Sequence, residues 1–125
     1  MRRVVAVILA AAVLLTGCTQ PDLPALAGRL RASVFALPGV TGGTVDLKYA
    51  ALSPNLICDL TGSGTTQADL IATMDAVLRT LTDGTRALKD AMVSCSINNG
   101  DVEAGVTSLG FQPTTTLTEL RKRYP

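Results

Sequence analysis

Leu56 to Leu81 reads LICDLTGSGTTQADLIATMDAVLRTL, and within it the hydrophobic period changes from two to about 3.6. Leu56, Cys58 and Leu60 alternate with Ile57 and Asp59, the pattern of a half-buried strand. Gly62-Ser63-Gly64 breaks it. Thr66, with Asp69 three positions on, has the form of a capping box, and Leu70, Ile71, Met74, Val77, Leu78 and Leu81 then fall on one helical face, until Asp83-Gly84 ends the run. A strand followed by an amphipathic helix with one apolar stripe needs a sheet and a layer above it, so the fold class is α+β.

Upstream, Leu26, Leu30, Val34 and Leu37 recur at spacings of three and four, predicting a helix stopped by Pro38-Gly39. Val45, Leu47 and Tyr49 alternate with Asp46 and Lys48 as a strand that pairs back on the next one through turn chemistry at Ser53-Pro54-Asn55. Downstream, Thr85 to Asp90 fits either a last helical turn or a loop. Ala91, Val93, Cys95 and Ile97 alternate as a third strand, Asn99-Gly100 signals a tight hairpin, and Val102, Ala104 and Val106 form a fourth strand. Thr116 and Glu119 open a closing helix with Leu117, Leu120 and Tyr124 on its apolar side. The order is αββαββα, with helices on one face of an antiparallel or mixed four-stranded sheet.

Composition narrows function by exclusion. The 125 residues are 47% hydrophobic and 17% charged, with a formal net charge of +1 and a mean hydropathy of +0.35. That is too apolar for disorder and too neutral, with too few aromatics, for nucleic acid. Histidine is absent, which removes the commonest general base and metal ligand. No cofactor motif is present, and a non-enzymatic role is expected.

Met1-Arg2-Arg3 followed by the apolar run Val4 to Leu15 has the layout of a secretory signal, too short to span a bilayer. Leu15-Thr16-Gly17-Cys18 resembles the lipobox of bacterial lipoproteins. That resemblance implies cleavage before Cys18, a diacylglyceryl group on its sulfur, and acylation of its amino group in many bacteria, palmitate being a typical chain. The expected organisation is a signal peptide over 1–17, a lipidated tether over 18–24 and one domain over 25–125. The expected location is the extracytoplasmic face of the cell membrane in the bacterial envelope. With Arg2 and Arg3 removed the remainder is close to neutral, so acyl chains, at about 0.8 kcal/mol per buried methylene, must supply the membrane affinity.

Once Cys18 is lipidated, Cys58 and Cys95 remain as an even pair in an exported domain, at a separation unlike zinc or thioredoxin spacing. A structural disulfide is the expectation, worth about 4 kcal/mol for a loop of that length, with two free buried thiols as the alternative.

The remaining polar groups have ordinary readings beside chemical ones. Gly62-Ser63-Gly64-Thr65-Thr66 sits where a phosphate could meet a helix N-terminus, but it also reads as a turn and cap without the lysine of a nucleotide loop. Arg121-Lys122-Arg123 fits a helix C-terminus as well as anionic lipid. Asp69, Asp75, Asp83 and Asp90 read as a solvated helix face, and Ser63, Ser94 and Ser96 lack a nucleophile's partners.

A helix, Leu37-Pro38-Gly39-Val40, two strands ending at Leu60-Thr61-Gly62, a helix and two more strands together are similar to the BON domain of bacterial envelope proteins, over Leu23 to about Leu109. The resemblance implies a binding module that contacts envelope proteins or lipid surfaces. The Leu-Pro-Gly-Val turn also looks like part of heavy-metal-associated domains, whose Cys-x-x-Cys is missing here. Eight arginines against three lysines add the look of a small actinobacterial lipoprotein of unassigned function. Two functional expectations follow: an envelope binding or assembly module, or a small-ligand or lipid carrier with an apolar pocket between the long helix and the sheet.

Overall fold

The computed structural model describes residues 22–51 and 53–125, so Cys18 and the leader lie outside the described residues. Helix α1 spans Leu23–Phe35, β1 Val40–Ala50, β2 Ser53–Gly62, α2 Gln67–Gly84, β3 Met92–Asn98, β4 Glu103–Gly105, β5 Thr115–Thr116 and α3 Leu117–Arg123, with a short 3-10 helix at Val106–Leu109. The αββαββα order is therefore present, with β5 added before the last helix.

α1 starts inside the stretch expected as tether. The Asp22 carboxylate accepts from Ala25 N at 3.3 Å, Pro24 sits in the first turn where its missing N–H costs nothing, and Leu23 is already buried. Leu26, Leu30 and Val34 continue the buried stripe. Gly39, at φ +92°, makes the left-handed turn that sends the chain into β1.

β1 and β2 form a long antiparallel hairpin, with Val45 opposite Cys58 and Ala50 opposite Ser53, so the chain reverses between Ala50 and Ser53. The reversal thus precedes Ser53-Pro54-Asn55, which belongs to β2, and Ala51 takes φ +56°. Pro54 is tolerated near the start of a central strand because β3 first pairs with β2 at Asn55, so no ladder partner needs a proline N–H.

β2 and β3 are parallel, joined through α2, and the sheet order is β1-β2-β3-β4, with β5 also on β3. β4 pairs with Ser96 to Asn98 and β5 with Met92 and Val93. The sheet is thus mixed and five-stranded, and β4 is shorter than the alternation over Val102 to Val106 suggests because the chain curls into the 3-10 helix at Val106.

One face of the sheet is covered. Val45, Leu47, Leu56, Leu60, Val93 and Ile97 point inward against Leu30 and Val34 of α1, Leu70, Met74, Val77, Leu78 and Leu81 of α2, and Leu117 and Leu120 of α3. The capping box forms as expected: Thr66 Oγ1 accepts from Asp69 N at 3.1 Å while the Asp69 carboxylate accepts from Thr66 N at 3.3 Å. α3 has half of that arrangement, Thr116 Oγ1 accepting from Glu119 N at 3.2 Å.

Candidate functional site: the uncovered sheet face

Alternation along a strand sends every second residue away from the helices. The register places Asp46 beside Ile57 and Ile57 beside Ser94 across the sheet; Lys48 lies beside Asn55, and Asn55 beside Met92. No helix of the described chain covers this face. Ile57 is 47% exposed and Met92 41%, unusual for large apolar side chains in the middle of a sheet. They are diagonal neighbours, and Asp46, Lys48, Asn55, Asp59 and Ser94 surround them as a polar rim. A depression of about 190 Å³ opens here, lined by Asn55, Ile57, Met92, Ser94 and Thr114 among others. A second, of about 90 Å³, lies beside it at Ser53, Pro54, Asp90 and Met92. Both lie away from the space between α2 and the sheet, where Leu70, Met74, Val77 and Leu78 pack without exposure. The chemistry on offer is apolar contact with a hydrogen-bonding edge, the composition of a protein or lipid contact surface.

Cys58 and Cys95 meet as direct partners in the β2–β3 ladder, both buried on the helix side. The structure holds them as thiols whose sulfurs stand 3.5 Å apart. The hydrogen bond between the Cys95 thiol and Cys58, helped by burial, holds the Cys95 thiol well above the ordinary cysteine range.

The other singled-out groups are engaged in structure. In the Gly62–Thr66 loop the N-terminal N–H groups of α2 are met by Thr66 and by the Asp69 carboxylate, whose pKa the hydrogen bonds from Thr66 depress, so this helix end already holds its own anion. Arg121 is a clamp: its guanidinium donates to the carbonyls of Leu88 at 2.6 Å, Lys89 at 2.7 Å and Thr85 at 2.9 Å. Arg123 donates to Leu109 O at 3.0 Å and lies over the Phe111 ring, and Lys122 pairs with Glu119 at 3.0 Å. Of the four aspartates expected on a solvated face, Asp83 pairs with Arg86 at 3.1 Å. Asp90 accepts from Ala91 N at 2.9 Å and Thr118 N at 3.2 Å; burial opposes these bonds, yet its pKa stays below the ordinary value. Asp75 accepts from the Tyr124 hydroxyl, tying α2 to the C-terminus, and burial together with this bond pushes the phenol up to about 12. Ser63 and Ser94 make no catalytic constellation, and no cluster of metal-ligating side chains occurs among the described residues.

Ile57 and Met92 are the residues that motif reasoning passed over. Their signal was present: an apolar residue at an outward position of an alternating strand.

No protein-family model, curated protein or solved structure matches this chain.

Proposed function

We propose that this chain is a lipid-anchored binding or assembly module of the bacterial envelope, held to the extracytoplasmic face of the membrane through Cys18 and using the uncovered sheet face as its contact surface. The observation that carries the reading is the apolar island of Ile57 and Met92 on a face that no helix among the described residues covers. A sheet buried on one side only, with its exposed large side chains clustered rather than scattered, is built to be covered by something else. The lipobox resemblance supplies the location, and Cys58 and Cys95, already neighbours, close to a disulfide by giving two electrons and two protons to an envelope oxidant. The carrier reading is less favoured, because the apolar depression is open and small compared with the roughly 300 Å³ at which ligand pockets begin.

Cross-linking in intact membranes tests the proposal. Ile57→Asp should abolish the wild-type pattern of cross-linked partners while leaving the melting temperature nearly unchanged, since the side chain is exposed. Ser63→Ala and Ser94→Ala should leave it intact. An unchanged pattern in Ile57→Asp would remove this face from function, and loss of all activity in either serine variant would point to an enzyme.

A further inference from the structure

The carboxylates of the described residues divide by layer. In the helices, at their caps and in the segment leading to β3, each is engaged: Asp22, Asp69 and Asp90 accept from backbone N–H groups, Asp75 accepts from the Tyr124 hydroxyl, and Asp83 and Glu119 sit in ion pairs. On the uncovered sheet face the opposite holds. The Asp46, Asp59 and Glu103 carboxylates meet no hydrogen bond or ion pair among the described residues, and neither does the Lys48 ammonium.

These charges adjoin the apolar island. Facing residues of an antiparallel pair stand about 5 Å apart, and same-face neighbours along a strand about 6.5–7 Å. Asp46, opposite Ile57, and Asp59, two positions beyond it, therefore flank Ile57 on the side away from Met92. Glu103, opposite Asn98, extends the acidic end, while Lys48 lies at the other end beside Asn55. The depression of about 190 Å³ between Ile57 and Met92 has room for one large apolar side chain. Three carboxylates against one ammonium leave the face net negative around an apolar seat.

Resting on the reading of this face as the contact surface, we propose that its occupant is a cationic protein segment. One apolar side chain of that segment fills the depression against Ile57 and Met92, and lysine or arginine beside it meets Asp46 and Asp59. The apolar seat anchors the partner, and the carboxylates, with no cation of their own layer to neutralise them, steer it and set its orientation. A second copy packed face to face would bring these carboxylates against their own kind. An anionic bilayer surface would likewise meet them as like charges.

The test is an NMR titration of the protein extracted from membranes in non-ionic detergent, with three capped pentapeptides and a short-chain phosphatidylglycerol as probes. Lys-Lys-Leu-Lys-Lys at millimolar concentration should move the Ile57 and Met92 signals, while Glu-Glu-Leu-Glu-Glu and Lys-Lys-Ser-Lys-Lys should not. Asp46→Asn with Asp59→Asn should weaken the effect about fivefold, and Asp83→Asn with Glu119→Gln, on the helix side, should leave it unchanged. No response to the Lys-Leu peptide, an equal response to the Glu-Leu peptide, or a response to the phosphatidylglycerol alone would overturn the proposal. Cross-linking in membranes separates this failure from that of the underlying reading. A partner pattern lost in Ile57→Asp should also be lost in Asp46→Lys with Asp59→Lys; if the charge variant keeps it, or if the product is two copies joined through this face, the face is a contact surface for another occupant. A pattern that survives Ile57→Asp defeats both.

Discussion

Arg121 shows how much one side chain can hold in a chain with few charges. Its three backbone acceptors are the carbonyls of Thr85, Leu88 and Lys89 just beyond the end of α2, of which Thr85 O also accepts from Leu88 N at 3.0 Å. Hydrogen bonds from a cation to such groups are worth roughly 1.5–3 kcal/mol, so Arg121→Ala should destabilise the domain by about 2 kcal/mol in chemical denaturation, and Arg121→Lys should recover only part, because an ammonium lacks the planar fork. A loss comparable to that of an ordinary surface arginine would show the clamp to be dispensable. None of this was legible in Arg121-Lys122-Arg123 as a string: the helix C-terminus reading finds the right neighbourhood for charge, but the three carbonyls come from another element. Asp75 is the same case, since its tie to Tyr124 links positions far apart in sequence. The cysteines were more legible, because both fell on inward positions of predicted strands; their meeting required the parallel order that alternation does not encode.

Among the elements, the two long helices could be read almost to their ends, because each carries a buried stripe and a capping side chain that are themselves sequence patterns. Strands read short. β1 begins at Val40 rather than near Val45 because Gly42 and Gly43 carry no apolar alternation, yet their backbones still pair with β2 around a bulge. β5, two residues long, has no pattern at all and exists because α3 packs where its backbone meets β3. Gly43 explains the irregular start of β1. It holds φ +113°, and a Cβ there would come within 2.2 Å of Asp59 O and 2.6 Å of Leu60 Cα, backbone atoms that cannot step aside. Gly43→Ala should therefore cost more than about 2 kcal/mol, read as a fall in the denaturation midpoint with little change in slope. Tolerance of alanine would mean that the hairpin lacks this close approach.

At the scale of the molecule, a two-layer domain with helices on one side leaves a sheet surface over. Here that surface is neither uniformly polar nor blunted by charge at its centre: Ile57 and Met92 sit in the middle of it. The fold class and the helix-facing core followed from periodicity alone. The candidate face did not, because exposure is a property of the assembled layers. Under the proposed attachment at Cys18, only a few residues separate the anchor from α1, which begins at Leu23. The account therefore stands or falls on the anchor. Intact-mass measurement of the wild-type protein extracted from membranes tests it most directly. The predicted species begins at Cys18 and carries a diacylglyceryl addition, with the Cys58 and Cys95 thiols unavailable to alkylation before reduction. An unmodified chain beginning at any other residue would contradict it.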